Sequence, residues 1–273
     1  MEDRLEEKYG QLRDRIASAG RAAIAFSGGV DSVFLLYAAR EALGDQVLAL
    51  TASLHAVPKK ELQEAEQFCR KYGIRHRIER VDEFRIDGFS DNPPDRCYLC
   101  KKTLFSRMLE LAVEEGCTVL MEGSNLDDQG DYRPGLKALR ELGIQSPLKE
   151  TGFTKAEIRE MSRRLGLPSW NKPSMACLAS RFVYGERITP EKMKMVEEAE
   201  ACLEALGYVQ RRVRVHGNLA RIELLPEELP GFMAGGCYRD VSEKLGELGF
   251  DYVTLDLGGF RSGSMNKGLD RHE

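Results

Sequence analysis

Ala22-Ala23-Ile24-Ala25-Phe26-Ser27-Gly28-Gly29-Val30-Asp31-Ser32-Val33-Phe34-Leu35-Leu36 is the stretch whose reading fixes the class of fold. Ala22–Phe26 reads as a short apolar strand that breaks at Ser27-Gly28-Gly29. From Ser32 to Leu43 the apolar positions Val33, Leu35, Leu36, Ala39 and Leu43 recur at helical spacing. Strand, glycine turn and helix in that order open an α/β unit. Glycines at such a turn let the backbone come close to an anion, which exposed N–H groups and the positive helix end then stabilise. Ser27, Gly28, Gly29, Asp31 and Ser32 are therefore candidate phosphate contacts, although many strand–helix junctions carry glycine for steric reasons alone.

Outward from this stretch the alternation continues. A helix over 4–19 precedes it. A strand at Val47–Thr51, a helix at Lys59–Tyr72, a strand near Arg75–Val81, a helix at Lys101–Glu115 and a strand at Thr118–Glu122 follow. Strands and helices at crossover spacing predict a doubly wound α/β fold, a parallel sheet covered on both faces. After a helix over 154–166, Leu167–Thr189 is rich in Pro, Gly, Ser and Asn and carries Trp170, Phe182 and Tyr184; connections of that length are usually functional or disordered. The rest reads helix 190–206, strands 209–215 and 219–224, helix 236–248 and strand 251–257. A boundary near 186 is expected, with residues 1–186 as the α/β domain and 187–273 as a smaller α+β domain.

The 273 residues, 42% hydrophobic and 31% charged, have a globular composition. With 40 basic and 44 acidic side chains the net charge is −4, so no global positive field recruits nucleic acid, and nucleic acid is not expected as a partner. The opening MEDRLEEKYGQLRDRI has no apolar core of a signal peptide, and nowhere do 18 apolar residues run together, so no membrane partner is expected. Seven cysteines, an odd number, make a poor disulfide framework and predict a reducing, cytoplasmic setting.

A second glycine turn, Gly123-Ser124-Asn125-Leu126-Asp127-Asp128, follows the strand ending at Glu122, at the carboxyl end of the sheet where open α/β folds place ligands. Asp127, Asp128 and Asp31 are candidates to hold Mg²⁺ beside a pyrophosphate, and capping of the next turn is an equally open role for the first two. Only Cys97 and Cys100 are closely spaced. A zinc site would need four ligands, and besides His55, His76, His216 and His272 no second pair is in view. A dithiol at a helix start is the other chemical option. Cys177 lies in the long loop ahead of Ser180 and Arg181, a cation able to favour its thiolate if the two approach. Cys69, Cys117, Cys202 and Cys237 read as small buried hydrophobes. Arg212 and Arg214 alternate on one strand and share a face, which suits either a substrate anion or surface salt bridges.

Several strings carry a family resemblance. Ser-Gly-Gly-x-Asp-Ser, without a Walker lysine, resembles the loop of the ATP pyrophosphatases. Asp131-Tyr132-Arg133-Pro134-Gly135-Leu136-Lys137-Ala138, Trp170-Asn171-Lys172-Pro173, Cys177 to Gly185, Arg212-Val213-Arg214 and Tyr252 to Gly263 together look like the LarE family. The resemblance implies an adenine nucleotide alpha hydrolase-like fold and an ATP-dependent sulfur transferase. Such an enzyme adenylates a carboxylate of pyridinium-3,5-biscarboxylic acid mononucleotide and replaces AMP by sulfur, towards the nickel-pincer cofactor. It implies nucleotide or substrate contacts at Ser27, Gly28, Gly29, Asp31, Ser32, Gly123, Arg181, Arg212 and Arg214. It also implies metal or substrate contacts at Glu200 and Glu223, where solvated carboxylates are the plain alternative, and a homo-oligomer. Cys177 occupies the position whose sulfur is sacrificed in some members. Cys97 and Cys100 depart from those members and match the cluster-dependent ones, in which three thiolates hold a [4Fe-4S] cluster with one iron open. tRNA thiolation, a nucleotide sensor and an ATP pyrophosphatase feeding amide chemistry are the competing functions; the acidic balance speaks against the first.

Overall fold

The computed structural model describes residues 2–130, 134–173 and 176–261. Asp131, Tyr132, Arg133, Ser262 and Gly263 of the quoted strings lie outside the described residues. The chain forms two compact units, Met1–Asp82 with Cys97–Met175, and Glu83–Arg96 with Ala176–Glu273.

The first unit holds α1 (Glu2–Ala17), β1 (Ala22–Ala25), α2 (Val30–Leu43), β2 (Val47–Ser53), α3 (Lys59–Lys71), β3 (Arg75–Arg80), α4 (Arg96–Glu114), β4 (Val119–Met121), α5 (Pro134–Glu141), α6 (Pro147–Glu150) and α7 (Lys155–Arg164). Its strands lie in the order β3-β2-β1-β4, all parallel, with Ala22 beside both Val47 and Val119. Strand side chains alternate between faces, and the core divides accordingly. Ala22, Ile24, Val47, Ala49 and Met121 pack with Leu12, Ile16, Phe34, Leu35, Phe68 and Ile158. Ala23, Leu48, Leu50 and Leu120 pack with Phe105, Met108, Leu111 and Leu139 on the other side. Both faces are thus covered, as the alternation of elements predicts. β2, central and buried almost throughout, is nearly all apolar, whereas β3, Arg-His-Arg-Ile-Glu-Arg, is the charged strand at the edge.

Two boundaries differ from expectation. α4 begins at Arg96, not Lys101, so Cys97 and Cys100 lie inside the helix, near its start; the start is set by Pro93 and Pro94, with the Arg96 N–H donating to the Pro93 carbonyl at 3.0 Å. α5 and α6 were not expected, because an eight-residue and a four-residue segment are too short to show a periodic face.

The second unit contains a 3₁₀ turn at Leu178–Arg181, α8 (Pro190–Ala205), β5 (Arg211–His216), β6 (Leu219–Leu224), α9 (Leu229–Ala234), α10 (Cys237–Glu247) and β7 (Tyr252–Leu255). β6 is central, antiparallel to β5 and parallel to β7. Met193, Val196, Ala199 and Leu203 of α8 are buried, as are Val213, Val215, Ile222 and Leu224 of the sheet. The expected boundary at 186 falls inside this unit. Segment 83–96 belongs to it because its backbone pairs with 182–188: Gly185 N–H to the Asn92 carbonyl at 2.9 Å, Ile188 N–H to the Ser90 carbonyl at 2.8 Å, and Asn92 Nδ2 to the Val183 carbonyl at 2.6 Å. Among the described residues no helix is long and apolar enough to cross a membrane.

Candidate active site

The turn after β1 is built to meet an anion. Gly28 sits at φ +73°, a left-handed conformation that glycine adopts without penalty. Gly29 is the N-cap of α2 and provides no side-chain cap, which leaves the first-turn N–H groups to an incoming acceptor. The loop is braced from within by Ser32, whose hydroxyl lies 3.1 Å from the Ser27 hydroxyl and donates to the Gly29 carbonyl at 3.1 Å. Gly123 packs directly on it. A Cβ at Gly123 would lie 3.1 Å from the Ser32 nitrogen and 3.2 Å from the Asp31 carbonyl carbon. The two glycine turns singled out in the sequence are therefore one site.

Asp31 is held by a residue the sequence reading passed over. Lys155 Nζ lies 2.6 Å from Asp31 Oδ2, and Asn125 Nδ2 donates to Asp31 Oδ1 at 3.4 Å. Lys155 is the first residue of α7, whose capping box of Thr154 and Glu157 is complete. A cation in the first turn opposes the helix dipole, and that misfit was the available signal that its charge serves something else. Asp127 and Asp128 both act as caps: Asp127 Oδ2 accepts the Lys155 N–H at 2.8 Å, and Asp128 Oδ2 accepts the Asn125 N–H at 2.9 Å. Glu122, buried, accepts from the Ser124 N–H and hydroxyl at 3.0 and 2.8 Å and from the Ser146 hydroxyl, fixing the second turn.

In the second unit, Arg181, Arg212, Arg214, Glu200 and Glu223 are all buried. Arg181 grips Glu200 with both ends of its fork, at 2.7 and 2.9 Å, and also donates to the Ala176 carbonyl at 2.9 Å. Glu200 Oε1 further accepts the Val213 N–H at 2.9 Å. Arg214 donates to Glu223 at 2.9 Å and to the Ser180 carbonyl at 2.9 Å, and Arg221 reaches Glu223 Oε1 at 3.1 Å. Arg212 stacks its guanidinium 5.2 Å above the Phe260 ring and donates to the Arg211 carbonyl at 2.6 Å. Burial, with Arg181 and Arg214 nearby, pushes its pKa down to about 10. Burial is the larger cause of that shift; the neighbouring guanidiniums add to it, while Glu200 and Glu223 act against it.

These positions bear on three expectations. Surface salt bridges for Arg212 and Arg214, and solvated carboxylates for Glu200 and Glu223, do not fit side chains this deeply buried. Nor do Glu200 and Glu223 stand as open metal ligands, since their carboxylates face guanidiniums. Arg181 pairs with Glu200, and Arg214 and Arg221 both reach Glu223.

The cysteines separate by environment. Cys69 and Cys117 are buried, and burial pushes the Cys69 thiol up to about 12 and raises that of Cys117. Cys202 and Cys237 are half-buried. Cys97 is exposed and Cys100 half-buried, three residues apart and so on one face of α4. Cys177 is exposed at the start of the 3₁₀ turn. Arg181 Nη1 lies 3.3 Å from its carbonyl.

Residues 1–131 match the PP-loop domain family. The chain is 42% identical over 267 residues, 98% of its length and 100% of the relative's, to an uncharacterized protein of Synechocystis sp.. It is 39% identical over 269 residues, 98% of its length and 96% of the relative's, to pyridinium-3,5-bisthiocarboxylic acid mononucleotide synthase of Lactiplantibacillus plantarum. The chain belongs to the LarE family. A glutamine-hydrolyzing GMP synthase component of Archaeoglobus fulgidus is similar over less of it, 30% identical over 217 residues that make up 73% of this chain and 69% of that one. The LarE match runs through both units, so the buried arginines as well as the phosphate loop fall within it.

Proposed function

We propose that this chain is an ATP-dependent sulfur transferase that converts the carboxylates of pyridinium-3,5-biscarboxylic acid mononucleotide to thiocarboxylates. The loop Ser27–Ser32 and Gly123 cradle the ATP phosphates. The substrate carboxylate attacks the α-phosphorus, forming a C–O–P bond and breaking the α–β bridge, so pyrophosphate leaves with its electron pair. Lys155 is placed beside Asp31 to meet that charge, and Asp31, Asp127 and Asp128 would hold Mg²⁺, which would neutralise the rest. A sulfide then adds to the acyl carbon and AMP departs, leaving a thiocarboxylate. Arg212 and Arg214 bind the substrate's phosphate or carboxylate, and Arg181 with Glu200 and Glu223 holds them in place.

Cys97, Cys100 and Cys177 fit a [4Fe-4S] cluster in their chemistry: three thiols that are exposed or half-buried, unlike Cys69 and Cys117. A cluster held by these three thiols would supply the sulfide. The second unit serves substrate binding and assembly into a homo-oligomer.

The observation that carries the function is the meeting of the two glycine turns at the start of α2, where Gly123 packs on the backbone of Asp31 and Ser32 beside an N-terminus with no side-chain cap, an anion site in a chain of net acidic charge. The test is anaerobic incubation of reconstituted protein with ATP, Mg²⁺, sulfide and the pyridinium mononucleotide. AMP, pyrophosphate and a thiocarboxylate product are expected together, and the Arg212→Met variant should lose product while still binding ATP. ATP cleavage that yields an amide, or thiolation of tRNA alone, would contradict the proposal.

A further inference from the structure

The segment after α7 returns to the phosphate loop through one side chain. Lys172 Nζ lies 2.6 Å from Glu61 and 2.7 Å from Glu64, both on α3, and 3.3 Å from the carbonyl oxygen of Gly28. Its side chain is well shielded, at 17% exposure, and its own backbone is pinned, since Arg159 donates to the Lys172 carbonyl at 2.7 Å and to the Trp170 carbonyl at 2.8 Å. The first turn of α3 presses on the same loop: a Cβ at Gly28 would sit 3.4 Å from the Glu61 carbonyl oxygen. Two carboxylates therefore stand beside a turn built to receive phosphate. Like charges in a partly dehydrated site repel strongly, and unbalanced they would oppose the ligand that the loop N–H groups attract.

We propose that Lys172 is a positioning residue of the nucleotide site, which neutralises Glu61 and Glu64 and fastens α3 to the Gly28 carbonyl so that the loop meets phosphate with no uncompensated negative charge next to it. The lysine acts through the loop and the glutamates and does not itself touch the nucleotide. This deepens the assignment of Ser27–Ser32 as the ATP phosphate loop and rests on it. It also gives the Trp-Asn-Lys-Pro string a role that its place in the sequence does not reveal.

The test is calorimetric titration of the intact protein with Mg²⁺ and an ATP analogue whose α and β phosphates are joined by methylene. Lys172→Met should weaken binding by about tenfold or more, and the loss should shrink as salt is raised. Lys172→Arg should retain most of the affinity. Adding Glu61→Gln and Glu64→Gln to Lys172→Met should restore most of what was lost, a recovery that a merely structural role would not give. The Glu61→Gln/Glu64→Gln double variant, which keeps the lysine, should bind at least as tightly as wild type and decides the matter if Lys172→Met fails to fold. Unchanged affinity in Lys172→Met, a triple variant as weak as the single, or a weaker double variant would overturn the role of Lys172 while leaving the loop as the ATP site. Failure of the wild-type protein to bind the analogue would instead overturn the loop assignment, and this inference with it.

Discussion

A methyl group at Gly123 would press on the backbone of Asp31 and Ser32 at 3.1–3.2 Å, and backbone at a helix start has little room to yield. Gly123→Ala should cost about 1–3 kcal/mol in chemical denaturation, in line with over-packing elsewhere, and should also weaken binding of an ATP analogue. A variant of wild-type stability and affinity would show that the two turns do not meet. The thiols give a second check. With burial holding the Cys69 thiol up to about 12, native protein treated with iodoacetamide near pH 8 should be modified at Cys97 and Cys177 and spared at Cys69 and Cys117; peptide mapping reads the difference. The glycine turns were legible in the sequence because few residue types permit the conformation they need. Lys155 was not: its partner Asp31 is 124 positions away, and a lysine carries no pattern of its own.

Ions hold α8 to the 3₁₀ turn at Leu178–Arg181. Arg181 and Glu200 are both almost wholly buried, and removing one member of such a pair strands the other. Arg181→Met should therefore destabilise the second unit by about 3–5 kcal/mol. Burial alone would raise the Glu200 pKa, yet Arg181 and the Val213 N–H hold it below the usual carboxylate range. The folded value lies beneath the unfolded one, so ionised Glu200 contributes stability above the unfolded pKa of about 4.3, and that contribution is lost as the pH falls through the folded value. Melting temperatures of wild type and Glu200→Gln should differ most near neutrality and converge in acid; a gap independent of pH would show that Glu200 is not the titrating group. The sequence pattern supplied the core strands and helices because β1 and β2 must bury both faces. It misplaced the start of α4, since Cys-Tyr-Leu-Cys carries no strong helix propensity, whereas the start is set by the two prolines ahead of it.

Across the whole chain, the alternation of strands and helices revealed the first unit, and the change of pattern after 186 revealed that a second exists. What the pattern could not show is that 83–96 joins that second unit, because backbone pairing of Ser90 and Asn92 with 185–188 depends on groups every residue has. The chain thus passes between units at three places. Cys97 follows one of them directly, and Cys177 lies just beyond another. If the three thiols act as a set, Cys97→Ser, Cys100→Ser and Cys177→Ser should each lower the iron and acid-labile sulfide of anaerobically reconstituted protein, and retention of both in any one variant would remove that residue from the set. The most direct measurement is the intact mass of the polypeptide, stripped of iron, before and after a single turnover with ATP and the pyridinium mononucleotide. An unchanged mass with thiocarboxylate formed is the result predicted here. Loss of the mass of H₂S from Cys177, leaving dehydroalanine, would contradict it.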